Sequence, residues 1–311
     1  MITAVAILGP TASGKSRLGM SLALRLGGEI LSIDSRQAYR RLDIGTAKPA
    51  AGERRAVPHH LIDIFNLDEQ SNAEVFARMA LAAIRDVASR GKLPILVGGS
   101  GLYFRAIAEG LFSIDLDPAA RLSYAESLRG IGNDVLHARL VEADPESARR
   151  IHRNDRFRLV RALEVFTLTG KPLSDHVRGQ RSDPKRREIR FVKIALELPR
   201  AGLHRNIDDR TRGMFERGWA EEVEGLLAEG IDAKCPGMKT LGYPQVIAYV
   251  RGQASLIETV ARVIELTRQY AKRQVTWFRK EPEIHWMGAG EDDLPESAQR
   301  LVRLPEGGQI R

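Results

Sequence analysis

Eight consecutive residues near the start of the chain have the types and spacing of a phosphate-binding loop. They fit G-x-x-x-x-G-K-[S/T] directly after the apolar run Ala4–Leu8, and they are Gly9, Pro10, Thr11, Ala12, Ser13, Gly14, Lys15 and Ser16. The glycines let backbone N–H groups converge on an anion, Lys15 adds positive charge, and the hydroxyl of Ser16 is the expected magnesium ligand. The loop predicts binding of a diphosphate or of a nucleotide such as ATP.

A carboxylate, Asp34, is the second candidate for chemistry, because it follows the predicted strand Glu29–Ile33. In a parallel sheet the end of that strand faces the ligand, on the same side as the phosphate loop. A carboxylate in this place could accept a proton from a substrate amine. The alternative is that Asp34 or Ser35 caps a helix containing Gln37–Leu42, and the local pattern leaves both open.

The apolar run Leu93–Val97 lacks the carboxylate with which phosphoryl-transfer enzymes commonly hold magnesium. It ends in Gly98-Gly99-Ser100-Gly101, and Leu102 stands where a hydrolase nucleophile elbow requires its last glycine. The missing carboxylate argues against a kinase but does not exclude one, since Asp34 could bind the metal instead.

Positive charge is concentrated in the middle of the chain. Arg149–Arg161 contains six arginines around Phe157, and Arg178–Arg190 adds further cations, among them Arg181 and Lys185–Arg187. Such clustering beside an aromatic side chain suits a structured RNA or its phosphates. The alternative is a solvated helix face that is partly balanced by acidic neighbours.

Three other groups of residues have a functional and a structural interpretation. His59-His60 lacks the spacing of a zinc-binding helix and is expected to be structural or hydrogen-bonding. Arg210 could clamp a phosphate or be a plain surface arginine. In Arg268–Arg279, Leu266, Tyr270 and Trp277 recur at roughly helical spacing, which favours the core over a base-stacking platform, while the intervening cations could line a channel.

The order of apolar runs predicts an α/β fold: a P-loop core with a mostly parallel sheet flanked by helices, plus an all-helical insertion. We expect the core in residues 1–115 and 184–311, and the insertion, contacting RNA if the RNA interpretation holds, in residues 116–183. Helical periodicity in the insertion covers Arg121–Arg129, Val135–Ala143 and Asp155–Thr169. After it, the pattern predicts a strand at Ile189–Leu198, helices at His204–Glu229, Tyr243–Arg251 and Ser255–Arg279, and a strand at Ile284–Met287.

Composition sets outer limits on the function. The 311 residues carry a net charge of +8 and a single cysteine, which excludes a disulfide framework and suits a reducing, cytoplasmic setting. No apolar stretch approaches the length of a membrane span. We expect a cytoplasmic protein with no membrane contact, and nothing in the sequence demands more than a monomer.

Taken in order along the chain, these segments resemble the tRNA dimethylallyltransferase family, also called tRNA isopentenyltransferase, in its bacterial form. The matching segments are Gly9–Ser16, Asp34-Ser35, Asp43–Pro49, Pro58–Asp63, Leu96–Tyr103, Arg158–Glu164, Gly242–Gln245 and Arg268–Arg279. The resemblance implies transfer of the dimethylallyl group of dimethylallyl diphosphate to N6 of adenosine 37 in tRNA. The loop would then bind a leaving diphosphate, which explains the missing carboxylate after Val97.

The resemblance also assigns roles to individual residues. Asp34 would be the general base, Ser16 would contact the diphosphate and Mg²⁺, and Lys15 and Arg210 would neutralise the departing diphosphate. The family's contacts with the tRNA anticodon stem-loop would fall on Asp34, Ser35, Arg36, Gln37, Ser100, Arg121, Phe157, Arg158, Leu159, Val160, Arg161, Lys239, Thr240, Leu241, Gly242, Tyr243 and Pro244. Pro244 stands where relatives often carry a cation, which puts one phosphate contact in doubt.

Alternatives remain from the residues alone. A P-loop kinase of a nucleoside or small metabolite would phosphorylate its substrate without prenyl transfer. An enzyme that prenylates free adenosine phosphates would not need the basic insertion. A non-catalytic RNA-binding protein that uses a nucleotide as a switch would give no covalent product.

Overall fold

The protein is described by a computed structural model for residues 1–110, 116–180, 188–290 and 293–303. The chain divides into two compact units, one made of Met1–Ala108 with Glu188–Arg311 and the other of Glu109–Arg187. The boundary expected at residues 183 and 184, and the cations Arg181 and Lys185–Arg187, lie outside the described residues. None of the described helices is long and apolar enough to cross a membrane.

The larger unit is built on one parallel sheet. Its strands, among the described residues, are β1 Ile2–Leu8, β2 Gly28–Ser32, β3 His59–His60, β4 Leu93–Val97, β5 Ile189–Glu197 and β6 Ile284–Gly288. They lie in the order β3-β2-β4-β1-β5-β6, and every pair is parallel. This confirms the predicted α/β class.

Strand β1 lies in the middle of the sheet because its residues are apolar on both faces, and Ala4–Leu8 are fully buried. Ile7 is in register with Val97 of β4 on one side and with Ile194 of β5 on the other. The carboxyl ends of these strands therefore reach the same edge of the sheet. The loops that follow β1, β2 and β4 carry the candidate chemistry to this edge.

Helices flank the sheet in the larger unit. In chain order these are α1 Lys15–Leu26, α2 Ala51–Ala56, α3 Ala73–Ser89, α4 Gly101–Ala108, α10 Arg200–Glu216, α11 Trp219–Ala228, α12 Tyr243–Val250, α13 Leu256–Phe278 and α14 Leu294–Arg303. The long helix α13 begins at Ser255, whose hydroxyl accepts a hydrogen bond from the amide of Glu258 while the Glu258 carboxylate binds the Ser255 amide. This capping box fixes the start of the helix that later reaches the site.

The structure corrects several expectations for the larger unit. The helix predicted over His204–Glu229 is two helices, because Gly218 adopts φ 92° and ends the run between α10 and α11. The helix expected around Gln37–Leu42 is a series of turns, in which Tyr39 pairs with Phe65 in an isolated parallel bridge. Asp34 therefore caps no helix.

The smaller unit is helical in its described part. It contains α5 Pro118–Ser127, α6 Asn133–Ala143, α7 Pro145–Arg150, α8 Arg156–Thr169 and α9 Leu173–Gln180. Leu136, Leu140 and Leu159 lie in its core. Asp155 caps α8 by accepting a hydrogen bond from the amide of Arg158, so the helix begins one residue after the predicted start.

Gly98 should be intolerant of a side chain, because a Cβ there would lie 2.5 Å from the carbonyl oxygen of Ile33, which precedes Asp34. We expect Gly98→Ala to lower the free energy of unfolding by about 1–3 kcal/mol through overpacking against backbone. Gly225→Ala in helix α11 is the control, since nothing lies within 4 Å of its Cβ. That control should be neutral or stabilising by up to about 1 kcal/mol. Urea unfolding measures both, and equal stability of the two variants would contradict the packing argument.

Candidate active site

A pair of adjoining cavities opens at the carboxyl edge of the sheet, within the described residues of the larger unit. The P-loop cavity, of 600 Å³, is lined by residues 11–17. The aromatic cavity, of 580 Å³, is lined by Tyr103, Trp219, Tyr270 and Trp277. The residues that line both are Thr11, Ala12, Asp34, Gly99, Arg210, Tyr270 and Gln274. We call this shared boundary the junction.

The phosphate-binding loop has the backbone geometry that its sequence predicts. Gly9 has φ 129° and Gly14 has φ 92°, and a Cβ on Gly9 would lie 2.9 Å from the carbonyl oxygen of Leu196. Only glycine fits such a position without strain. Residues 11–16 line the P-loop cavity, whereas Gly9 and Pro10 are buried.

Lys15 is the buried cation of this loop. Its Nζ donates a hydrogen bond to the carbonyl oxygen of Pro10 at 2.5 Å. Burial and the nearby positive charge of Arg210 lower the pKa of Lys15 to about 7, while the carboxylate of Asp34 acts in the opposite direction. An anion in the cavity would restore the charged form.

Arg210 is not the plain surface arginine of the alternative interpretation. It is half-buried on α10, and its Nη1 donates to Oγ1 of Thr11 at 2.9 Å. Burial lowers its pKa from the ordinary value, with Asp34 opposing. Its neighbour Asp208 is engaged elsewhere, because both carboxylate oxygens accept hydrogen bonds from Arg268. Arg210 therefore presents its charge at the junction.

Asp34 lies at the junction, half-buried, and is held by its own turn. Its Oδ1 accepts a hydrogen bond from the amide of Arg36 at 2.8 Å. The next amide, that of Ser35, donates to Oγ of Ser100 at 3.3 Å and ties this turn to the loop after β4. Within the part of the chain that the structure describes, no hydrogen bond is recorded to Oδ2 of Asp34, so this oxygen is available to a substrate proton.

The other predicted tRNA contacts of the larger unit divide into two groups. Those that line the aromatic cavity are Asp34, Ser35, Arg36, Ser100, Lys239, Thr240 and Leu241. Gly242 and Tyr243 are buried, and Pro244 is exposed. A Cβ on Gly242 would lie 2.3 Å from the Trp219 ring, so this glycine serves the packing around the cavity.

Gln37, predicted as a tRNA contact, is occupied within the fold. Its Nε2 donates to the carbonyl oxygens of Thr46 and Ala47 at 3.2 and 3.0 Å, and its Oε1 accepts from Oγ of Ser32 at 2.8 Å. These bonds hold the segment that contains Thr46 against the end of β2.

In the smaller unit, four of the predicted contacts line a groove of 740 Å³: Arg121, Phe157, Val160 and Arg161. Phe157 is 83% exposed, as a stacking platform requires. Arg121 and Arg161 both bind the buried carboxylate of Glu164, at 2.6 and 2.8 Å, so part of their charge is neutralised. Leu159 corrects the prediction, because it is fully buried in the core and its side chain offers no contact to an RNA.

Two further cations of Arg149–Arg161, which we call the basic segment, differ in their roles. Arg156 is structural, because its guanidinium donates to the carbonyl oxygens of Leu128 and Ile131 at 2.7 and 2.6 Å. Arg158 keeps most of its charge exposed, with 60% of its side chain accessible and a 3.4 Å approach to Asp155. Arg156 thus stabilises the fold, whereas the charge of Arg158 stays largely exposed.

The histidine pair is structural in the described residues. His59 Nδ1 contacts the carbonyl oxygen of Val57 at 2.8 Å, and His60 Nε2 contacts the Glu29 carboxylate at 2.7 Å. Glu29 also binds Arg90, which lowers the pKa of Glu29 to about 2.

Sequence reasoning did not identify Gln274 or the supporting residue Glu222, and it assigned Tyr270 and Trp277 to the core. Tyr270 and Trp277 are half-buried and line the aromatic cavity, which corrects their assignment to the core. Gln274 joins two loops of the junction. Glu222 accepts hydrogen bonds from the amides of Asp43 and Ile44 and from the hydroxyl of Tyr243. The pair Gly98-Gly99 indicates that another part of the chain approaches closely, but it does not identify Gln274 as the approaching residue.

The donor set in the P-loop cavity fits Mg²⁺. The hydroxyl of Ser16 and the carboxylate of Asp34 line the same cavity, and among the described residues no group of three or more His, Cys, Asp or Glu side chains could hold a metal alone. Mg²⁺ prefers oxygen ligands and usually takes several from water and substrate phosphates. A sparse set of oxygen donors beside a diphosphate cradle matches this preference.

The fold and the junction define a P-loop α/β protein whose phosphate cradle faces an aromatic cavity for a second group. The family model described as IPP transferase matches residues 37–281. The tRNA dimethylallyltransferase of Geobacter metallireducens is 45% identical over 284 residues, covering 91% of this chain and 91% of the relative. That of Methylococcus capsulatus is 45% identical over 304 residues, covering 96% of each. The chain belongs to the IPP transferase family.

Solved structures agree with this assignment. The full-length tRNA isopentenylpyrophosphate transferase of Bacillus halodurans is 36% identical, with TM-score 0.70, and the match covers 97% of this chain and 95% of that one. A eukaryotic dimethylallyltransferase acting on tRNA gives TM-score 0.79 at 28% identity, over 97% of this chain and 78% of that one. The family match begins at residue 37, so the P-loop and Asp34 are observations independent of it.

The titration of Lys15 predicts how anion binding depends on pH. With a pKa of about 7 in the free protein, Lys15 loses its proton as the pH rises through 7, and the affinity for inorganic diphosphate should fall. Lys15→Arg keeps its charge over this range and is the control, because ionisation of the ligand affects both proteins equally. Calorimetric titration at pH 6 to 9 should show the affinity of wild type falling relative to that of Lys15→Arg, and parallel curves would contradict the assignment.

Proposed function

We propose that the protein transfers the dimethylallyl group of dimethylallyl diphosphate to N6 of adenosine 37 in tRNA, giving N6-dimethylallyladenosine and diphosphate. One observation carries the proposal: Asp34 and Arg210 line both the P-loop cavity and the aromatic cavity. A carboxylate for the amine proton and a cation for the leaving group are thus available where the two substrates would meet. The family assignment supports this chemistry over phosphoryl transfer.

The reaction at the junction follows from these groups. The N6 lone pair forms a bond to the allylic carbon C1 while the bond between C1 and the diphosphate oxygen breaks. Asp34 accepts the N6 proton. Lys15, Arg210 and the loop amides stabilise the negative charge that collects on the diphosphate. Because the carbon–oxygen bond breaks and no phosphoryl group is transferred, the magnesium-holding carboxylate of phosphoryl-transfer enzymes is not required after β4.

Mg²⁺, when bound, would neutralise diphosphate charge and so improve the leaving group. Ser16 is the residue that we propose to hold it, together with oxygens of the substrate. Asp34 lines the same cavity and is assigned to the amine proton.

The lining of the aromatic cavity supports its role as the site for the nucleobase. Tyr270 and Trp277 line it, and base stacking on aromatic side chains contributes about 1–3 kcal/mol per base. Adenosine 37 must leave the anticodon loop to reach the junction, which costs a few kcal/mol. We propose that cations of the smaller unit, Arg158 above all, hold the anticodon stem and offset this cost. The monomeric state and cytoplasmic location stay predictions from the sequence.

Asp34→Asn tests the base directly, because an amide keeps the shape and can still accept from the Arg36 amide. Transfer of labelled dimethylallyl groups to tRNA should slow by about 100- to 10,000-fold, while tRNA affinity stays unchanged. Asp68→Asn, which alters an exposed carboxylate outside both cavities, is the control and should retain full activity. Near-normal turnover in Asp34→Asn would show that the base is assigned wrongly.

The salt dependence of tRNA binding tests whether Arg158 contacts the tRNA. Reversing charge in Arg158→Glu should weaken tRNA binding and flatten the slope of log affinity against log salt by about one. Arg129→Glu is matched in charge change and is 81% exposed, outside the basic segment, so it should leave the slope unaltered. Filter binding at 50 to 300 mM salt measures these slopes, and equal slopes for the two variants would show that Arg158 is not part of the tRNA interface.

A further inference from the structure

The side-chain amide of Gln274, on helix α13, is buried at the junction. Gln274 is 5% exposed. Its Oε1 accepts a hydrogen bond from the backbone amide of Thr11 at 2.8 Å. Its Nε2 donates to the carbonyl oxygen of Gly99 at 2.9 Å. One side chain thus joins the phosphate-binding loop to the loop after β4.

The site is built closely around this amide. A Cβ on Gly99 would lie 2.1 Å from Nε2 of Gln274, so the side chain packs directly on the glycine backbone. Glutamine is the residue type of this length that can accept and donate at once. Glutamate would keep the acceptor for Thr11 but set a carboxylate oxygen against the Gly99 carbonyl, and methionine would fill the space without either bond.

The two bonds of Gln274 lead to the groups that act on the substrates. On one side, the Oγ1 of Thr11 accepts the hydrogen bond of Arg210 Nη1 at 2.9 Å. On the other side, Gly99 precedes Ser100, whose Oγ accepts from the amide of Ser35, next to Asp34. The cation for the leaving group and the carboxylate for the amine are therefore linked through one buried side chain.

We propose that Gln274 is a positioning residue for the transfer, which fixes Arg210 through Thr11 and sets the spacing between the diphosphate cradle and the base. The proposal rests on the proposed function. Gln274 lines both cavities, yet its amide is bonded to backbone on both sides, so it acts by holding the loops.

The first experiment measures kcat, both KM values and the melting temperature of Gln274→Met. A misplacement of about 1 Å in a reacting group costs about 100-fold in rate, so we expect kcat to fall by about that factor while KM for tRNA is retained. Gln269→Met is the matched control, because Gln269 lies on the same helix, is exposed and contacts Glu265. It should keep wild-type kinetics. Unchanged kcat in Gln274→Met would overturn the proposal, as would a loss that disappears at lower temperature together with a lowered melting temperature.

The second experiment tests the path through Thr11 by a double-mutant cycle. Thr11→Val removes the hydroxyl that receives Arg210 and preserves shape. If Gln274 acts through Thr11, the fold-loss in kcat/KM of Thr11→Val with Gln274→Met is smaller than the product of the single losses. A loss equal to the product would overturn this path. Should Gln274→Met fail to fold, Gln274→Glu replaces it in the same cycle and is judged by the same comparison.

These outcomes are separable from failure of the proposed function. If wild type and Gln269→Met transfer dimethylallyl groups to tRNA, the function stands whatever Gln274 does. If wild type gives no prenylated tRNA, diphosphate affinity still reports on Gln274. Loss of the Thr11 bond should weaken diphosphate binding in Gln274→Met and not in Gln269→Met, and equal affinities would contradict a positioning role.

Discussion

Two neighbouring cations whose charge is disfavoured by burial, Lys15 and Arg210, are the constraint on which the rest of the site depends. Burial lowers the pKa of both, the positive charge of Arg210 helps to bring the pKa of Lys15 down to about 7, and the carboxylate of Asp34 opposes the shift in both. Such an arrangement is unfavourable until an anion enters. The free energy stored in it becomes available when a diphosphate binds, and again as negative charge grows on the leaving group. The fold around the site keeps these two charges on the wall of the P-loop cavity.

The parallel sheet supplies that restraint. Because β1 is paired along its whole length with β5 and through residues 5–7 with β4, the loop after β1 is anchored to the core of the sheet. Gly98 and Gly99 then let the end of β4 approach Ile33 and Gln274 more closely than any side chain would allow. The carboxylate and the cations consequently meet at a fixed edge. The aromatic cavity beside them is lined by the loops after β1, β2 and β4 and by side chains of α4, α10, α11 and α13. The sheet thus fixes the loops that carry the charged groups, and the helices supply the aromatic side chains that line the cavity for the second substrate.

Local patterns predicted much of this arrangement. The phosphate loop, the buried strands and the position of Asp34 depend on neighbours in sequence, so residue types and spacing were sufficient. The break at Gly218 was also a local signal, although the periodicity on either side obscured it. Gln274 and Glu222 could not be found this way, because their partners lie 175 to 263 and 21 to 179 residues away in the sequence. Leu159 shows a related difficulty, since the segment that we predicted to contact tRNA also contains a residue that faces the core.

The most direct test of the account is a crystal structure with a non-cleavable thiodiphosphate analogue of dimethylallyl diphosphate and an anticodon stem-loop. The account predicts the diphosphate in the cradle of residues 11–16, contacted by Lys15 and Arg210. It further predicts adenosine 37 in the aromatic cavity, with N6 facing C1 and within hydrogen-bond distance of Oδ2 of Asp34. An analogue bound away from the cradle, or an adenine whose N6 points away from Asp34, would contradict it.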